Sequence, residues 1–325
     1  MEDINIIRKP VVEDYKLFND DFLNSLSSST LLLQTAIERI MQSTGKHVRP
    51  LLTLLAAKAC GRVTATTVNS AVLLELLHTA SLVHDDVIDE TKQRRGVPSL
   101  NAFFDNRVSV LVGDYLLSSA LIRSVQTGNI NIMYIVSNVG RALAEGEIKQ
   151  LEIADDAVLS EASYMDVIEK KTAVLLSACA EIGAISAGAS DREIELLRMA
   201  GACFGYCFQL RDDVFDYFDN AEIGKPTGND IIDGKVTLPL LYALENSRDE
   251  VAVASFKRMI AEKDYVHDNI DALIDFAKIN GGIDYAEKRM LDYRNRAVDL
   301  LLQLPESEAR ESLVMLADFI VGRNH

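Results

Sequence analysis

The chain has 325 residues, of which 33 are basic and 49 acidic, giving a formal charge of −16 and a sequence pI near 4.8. That excess excludes the basic face needed to meet nucleic-acid phosphate and argues against docking on an anionic membrane. With 48% hydrophobic and 25% charged residues, the composition is that of a globular protein and not of a disordered one.

From the N-terminus, residues 1–10 open on Glu2 and Asp3 and lack an apolar core of signal-peptide length. No apolar run reaches the roughly 18 residues of a membrane span, so a soluble cytoplasmic protein without stable membrane insertion is expected. Apolar residues then recur at three- and four-residue steps, as in Val68, Val72, Leu73, Leu76, Leu77, Ala80 and in Val108, Leu111, Val112, Tyr115, Leu116. These are helix periods, and sustained strand-type alternation is hard to find. Helices are expected over about 31–42, 49–60, 65–92, 107–126, 129–155, 161–188, 191–218 and 236–246, with more in the C-terminal hundred residues, where Asn280-Gly281-Gly282 is a break. Several are apolar on more than one face, as interior helices of a bundle are. With no linker and no low-complexity tract, residues 1–325 are read as a single all-α domain. Cys60, Cys179, Cys203 and Cys207 form no CxxC pair and no zinc-like set, so buried thiols are expected.

Two clusters match: Val83-His84-Asp85-Asp86-Val87-Ile88-Asp89 and Leu210-Arg211-Asp212-Asp213-Val214-Phe215-Asp216. On a helix, residues i and i+4 lie one above the other, with i+1 about 100° away. Asp85 and Asp89 therefore form a pincer of oxygens with Asp86 beside it, and Asp212, Asp216 and Asp213 repeat the pattern. A like-charge pair at 4 Å costs roughly 1 kcal/mol in water and about 4 near a protein surface. Divalent cations remove that cost, and Mg2+ leaves coordination places for substrate phosphates. Two solvated acidic helix ends are the alternative, but both clusters sit at the ends of mainly apolar helices.

Bases gather at particular places despite the acidic balance. Lys46 and Arg49 lead into a helix N-terminus, which favours anions. Arg94 and Arg95 follow the first cluster, Lys170-Lys171-Thr172 lies in an apolar helix, and Lys225 and Lys235 follow the second cluster. His78 stands about two turns before Asp85. Separately, one arginine could cap the acidic helix, Lys171 could snorkel to the surface and His78 could be a core histidine. Together they outline two anion sites, one approached through metal and one through Lys and Arg.

In these residues the sequence resembles the trans-isoprenyl (polyprenyl) diphosphate synthases. The likeness is carried by Gly45-Lys46-x-x-Arg49-Pro50, Glu75-x-x-His78, the first aspartate cluster, Arg94-Arg95-Gly96, Gly146-Glu147-x-x-Gln150, Lys171-Thr172, Gln209 with the second cluster, and Gly224-Lys225 through Asp230 to Gly234-Lys235. It implies an all-α bundle around a central cavity, usually a homodimer, that condenses isopentenyl diphosphate head to tail onto an allylic diphosphate. It further implies Mg2+ on Asp85, Asp89 and Asp212, with Asp86, Asp213 and Asp216 in direct or water-mediated support. Arg94, Lys171, Gln209, Lys225 and Lys235 would hold the allylic diphosphate, while Lys46, Arg49, His78 and Arg95 would hold isopentenyl diphosphate. Thr172 and Gln209 could face the allylic cation, and the released diphosphate would take the proton.

A growing product needs an apolar shaft beneath the first cluster, where Ser81 and Ala80 stand one turn before Asp85 and Leu77, Leu76 and Leu73 form the next layers. In the family, aromatic residues there close the shaft, and small ones leave it open. A floor could come from Ile132, Met133, Tyr134 or Ile135. The resemblance is thus to long-chain enzymes of roughly the six-to-ten-unit class, such as octaprenyl diphosphate synthases, and Ala80→Phe is expected to shorten the product. A farnesyl or geranylgeranyl diphosphate synthase is the alternative within the chemistry. A terpene cyclase would leave Lys46, Arg49 and Arg95 idle, and a non-enzymatic regulatory subunit would commonly lose the aspartates.

Overall fold

The computed structural model describes residues 4–42, 45, 47–94, 96–156, 159–218, 228–264 and 267–322. Their architecture is helical, with α1 (Ile4–Arg8) passing through a 3-10 turn into α2 (Val12–Ser25), then α3 (Leu31–Gln42), α4 (Val48–Cys60) and α5 (Ala65–Ile88). A two-residue antiparallel hairpin, β1 (Gln93–Arg94) with β2 (Val97–Pro98), precedes α6 (Leu100–Phe103), α7 (Asn106–Gln126), α8 (Ile130–Asp156) and α9 (Glu161–Ile168). A π turn (Glu169–Ala173) joins α9 to α10 (Val174–Ala187), followed by α11 (Asp191–Phe215) and the short α12 (Asn229–Ile232). The chain ends with α13 (Leu238–Asn246), α14 (Glu250–Ala261), α15 (His267–Ile279), α16 (Gly282–Leu301) and α17 (Glu308–Gly322).

Local chemistry sets many of these boundaries. Thr64 and Thr67 form a reciprocal capping box at the start of α5, and Ser190 and Glu193 form another at the start of α11. Asp105 caps α7 by accepting the Val108 N–H at 2.8 Å. At Gly281 a φ of 74° makes the break between α15 and α16.

Central helices are buried nearly all round. Every residue of α5 from Ser70 through Leu77 is buried, and α10 buries Leu175, Leu176, Cys179, Ile182 and Ala184. They pack with α4, α7 and α11 around one large core, in which Leu51, Leu73, Leu74, Phe204 and Leu316 are fully enclosed. Enclosing each such leucine contributes about 1.5–3 kcal/mol. A second, smaller core around Tyr217, Leu240, Leu273 and Ile274 belongs to α12–α15 and the turn after α11.

The all-α expectation holds, while several boundaries differ. Helix α5 stops at Ile88 instead of 92, because Glu90 takes φ 49° and the chain turns into the hairpin. Helix α11 ends at Phe215 instead of 218. The helix expected over 161–188 is interrupted by the π turn, and α1 and α2 precede the first expected helix. Their signal was the spacing of Val11, Tyr15, Phe18 and Phe22, all buried. Helix α7 alone among the described helices is long and apolar enough to cross a membrane by length and composition, although no uninterrupted apolar run spans it, and its Val112, Leu116 and Ala120 pack into the core. The cysteines are free, with Cys179, Cys203 and Cys207 buried and Cys60 partly so.

Candidate active site

The acidic clusters occupy the C-terminal ends of α5 and α11, and their helical phase gives the aspartates different surroundings. Asp86 is buried and accepts from Arg94, with Nε to Oδ1 at 2.9 Å and Nη2 to Oδ1 at 2.7 Å. Asp213 is buried as well, accepting from the Tyr164 hydroxyl at 2.5 Å and from Gln209 Nε2 at 2.8 Å. The middle aspartate of each cluster is thus held by its own side-chain donors. Asp216 accepts the N–H groups of Asn229 at 3.1 Å and Asp230 at 3.0 Å, which tie the start of α12 to the end of α11.

Lys235, after the second cluster, reaches Asp89 of the first at 3.3 Å and Asp233 at 3.2 Å. Burial would lower its pKa, but Asp89, Asp233 and Asp230 outweigh that and raise it, so its charge is secure. Burial, followed by the Glu147 carboxylate, pushes Asp85 up to about 6; Asp89 adds to this while Lys171 and Arg94 oppose it. Burial also raises Asp213 and Asp230, each in the field of neighbouring carboxylates.

Between the clusters stands the π turn. Its wider winding carries Lys171 to Glu147 at 2.6 Å and Gln150 Oε1 at 2.9 Å, both on α8. Thr172 Oγ1 donates to Gln209 Oε1 at 2.7 Å, so Gln209 is oriented from both sides and its amide NH2 points to Asp213. Two glycines allow this fit. A Cβ at Gly205 of α11 would lie 2.3 Å from Ala173 Cα, and one at Gly146 of α8 would lie 2.8 Å from Lys170 Cβ. Lys171 therefore does not snorkel to the surface; it is fixed by two α8 side chains.

Arg49 lies at the start of α4, where burial lowers its pKa against the opposing charges of Glu75, Cys179 and Asp212. His78 is partly buried on α5, and its carbonyl accepts from Ser81 Oγ at 2.9 Å. Lys46, Arg95 and Lys225, expected to hold the two diphosphates, lie outside the described residues. Arg94 pairs with the Asp86 carboxylate, with no bond to the last carbonyls of α5 among the contacts it makes there.

The shaft residues separate. Ser81 shares the face of Asp85 and is partly exposed, whereas Ala80 and Leu77 are packed into the core. At i−5, Ala80 is rotated about 140° from Asp85, while i−4 is displaced only about 40°. Tyr134 is 69% exposed and so points away from the interior that Ile132 occupies. A cavity lies beside the second cluster, lined on its polar side by Gln150, Gln209, Asp213 and Lys235 and on its apolar side by Val167 and Leu241. Tyr164 was missed in the sequence, since nothing in its local pattern joins it to Asp213, 49 residues away.

Among the described residues no three His, Cys, Asp or Glu side chains converge into a complete metal site. The donor set nevertheless fits a hard divalent cation, since every ligand candidate is a carboxylate. Mg2+ sites of this kind take part of their coordination from substrate phosphate.

A family model described as polyprenyl synthetase matches residues 30–276. Octaprenyl diphosphate synthase from Haemophilus influenzae is 37% identical, over 99% of this chain and 98% of that protein. A crystal structure of polyprenyl synthase from Caulobacter crescentus, complexed with calcium and isoprenyl diphosphate, superposes with a TM-score of 0.92 at 33% identity, covering 99% of this chain and 98% of that one. A geranylgeranyl pyrophosphate synthase structure from Bacteroides thetaiotaomicron is 42% identical, with a TM-score of 0.86 and coverage of 98% and 99%.

Proposed function

The chain belongs to the polyprenyl synthetase family and is a prenyltransferase, and from that premise we propose an all-trans long-chain polyprenyl diphosphate synthase, Mg2+-dependent, that joins isopentenyl diphosphate head to tail onto an allylic diphosphate. The observation that carries the proposal is the Lys235–Asp89 contact at 3.3 Å. It brings the region after the second acidic cluster onto the first, so that both clusters flank Lys171 and Gln209.

In this reading Asp85, Asp89 and Asp212 hold Mg2+, with Asp86, Asp213 and Asp216 supporting them. Bound Mg2+ supplies positive charge to the departing diphosphate. Arg94, Lys171, Lys225 and Lys235 bind that diphosphate, and Lys171 is set in place by Glu147 and Gln150 before substrate arrives. Arg94 then exchanges part of its pairing with Asp86 for phosphate oxygens. Ionisation leaves an allylic carbocation, which in this reading is faced by the oxygens of Thr172 and Gln209, themselves joined by a 2.7 Å hydrogen bond. Lys46, Arg49, His78 and Arg95 hold isopentenyl diphosphate so that its double bond attacks the cation. A proton then leaves to the released diphosphate, and the site must keep water from quenching the cation.

The assembly proposed is a homodimer. Helix α7 exposes Leu111 at 68%, with Leu121, Ile122 and Val125 on the same side, and α8 continues the patch with Ile130 at 72%, Tyr134, Ile148 and Leu151. Such a surface fits a second copy of itself. With its net charge and a packed inner face on α7, the protein is read as a soluble cytoplasmic enzyme of one domain.

The test is the product mass after incubation with farnesyl diphosphate, isopentenyl diphosphate and Mg2+. A ladder ending at one long polyprenyl diphosphate is expected. A single addition would favour a geranylgeranyl diphosphate synthase, the second reading, which is supported by the 42% identity to the Bacteroides structure. Failure to consume isopentenyl diphosphate would overturn the proposed activity.

A further inference from the structure

His84 has no part in the chemistry above, yet α7 is shaped around it. Its ring fills the notch left by Gly113, where a Cβ would fall 2.3 Å from Nε2 and 2.5 Å from Cδ2. Nε2 faces the Val110 carbonyl at 3.3 Å and Asp114 Oδ1 at 3.4 Å. Both are acceptors, so Nε2 carries the hydrogen. On the other flank, Asp86 is gripped by Arg94, and its carbonyl accepts from Asn101 Nδ2 at 2.9 Å. Taking His84 as the origin, Asp85 lies about 100° around the helix, Asp89 about 140° and Asp86 about 200°. The two anchors therefore bracket the sector that holds Asp85 and Asp89.

We propose that His84 is a positioning residue: seated over Gly113, it sets the rotation of the last turn of α5 and so aims Asp85 and Asp89 into the cleft. The inference rests on the reading of Asp85 and Asp89 as Mg2+ ligands. Without the ring the turn has one anchor instead of two, and the carboxylates lose their shared direction. Adding a methyl group at Gly113 has the same effect from the other side, because the ring can no longer seat.

The test is a calorimetric titration of Mg2+ into the full-length protein with inorganic diphosphate present, alongside the melting temperature of each metal-free variant. His84→Ala and Gly113→Ala are each expected to weaken Mg2+ binding roughly tenfold, the scale seen when residues behind metal ligands are removed. His84→Gln, whose amide can still donate towards Val110 and Asp114, is expected to recover part of that loss. Mg2+ affinity within about twofold of the parent in all three variants, with only the melting temperature lowered, would overturn the proposal. Asp85→Asn separates the two ideas. If it weakens Mg2+ binding while the His84 and Gly113 variants do not, the positioning role fails alone. If Asp85→Asn leaves binding unchanged, the ligand assignment fails and the inference with it. Should His84→Ala not fold, His84→Gln and Gly113→Ala carry the comparison.

Discussion

Lys171 shows how much one side chain depends on its holders. Its ammonium meets Glu147 at 2.6 Å and Gln150 at 2.9 Å, an arrangement that keeps a positive charge aimed before substrate binds. Lys171→Ala should lower kcat by roughly 10²–10³-fold, the usual loss when a preorganised charge-stabilising donor is removed, with Lys171→Arg intermediate; steady-state kinetics with isopentenyl diphosphate checks this. Asp85 gives a pH signature. Its folded pKa of about 6 exceeds the ordinary 3.8, so its proton stabilises the fold below pH 3.8 and that contribution fades as pH rises through 6. Metal-free protein should lose up to about 3 kcal/mol across that window. Urea midpoints taken in EDTA at several pH values would show the decline, and Asp85→Asn should reduce it. Product length also belongs at this scale. Because Ser81 shares Asp85's face and Ala80 is packed away from it, Ser81→Phe should shorten the product more than Ala80→Phe, which should mainly lower stability. Equal products from Ser81→Phe and the parent would sink the shaft reading.

Among the elements, the π turn and the helices on either side of it depend on close approach. Gly205→Val would drive a side chain into Ala173, because a Cβ at that position would stand 2.3 Å from the Ala173 Cα. It should destabilise the fold by about 1–3 kcal/mol and lower Tm by several degrees, with a larger loss in kcat than a remote substitution of equal ΔTm. Much at this level could be read in advance. Apolar steps placed α4, α7, α8 and α13 to within two residues, and the matched aspartates were already visible as helical pincers. The missing parts have physical reasons. A π turn shifts the helical phase by one residue, but α10 beyond it is apolar and buried on nearly every face, so no stripe exists in which the shift could show. Tyr164 meets Asp213 only through the packing of α9 on α11, and the Arg94–Asp86 pair needs a hairpin of two-residue strands, too short for alternation to show. Nor does residue type tell which of Ala80 and Ser81 lies under Asp85; helical phase does.

For the whole molecule, the proposed dimer rests on the exposed apolar sides of α7 and α8. Leu121 and Ile122 are exposed on one stripe, and replacing both with glutamate should convert a dimer into a monomer in sedimentation velocity. The parent sedimenting as a monomer at micromolar concentration would remove the dimer from the proposal. If instead the parent needed detergent to stay in solution and the double variant did not, the same stripe would be a lipid-facing surface.

The π turn makes one rod serve two directions. Before it, Tyr164 addresses the second acidic cluster; after it, Leu175, Cys179 and Ile182 fill the central core; within it, Lys171 and Thr172 look into the cleft. An ordinary helix would hold these three sets in a single phase, and one residue more or fewer turns everything beyond by about 100°. A one-residue deletion between Glu169 and Ala173 is therefore a rotation more than a shortening. It would force a choice between a filled interior and an aimed lysine, so this stretch can change in composition far more easily than in length.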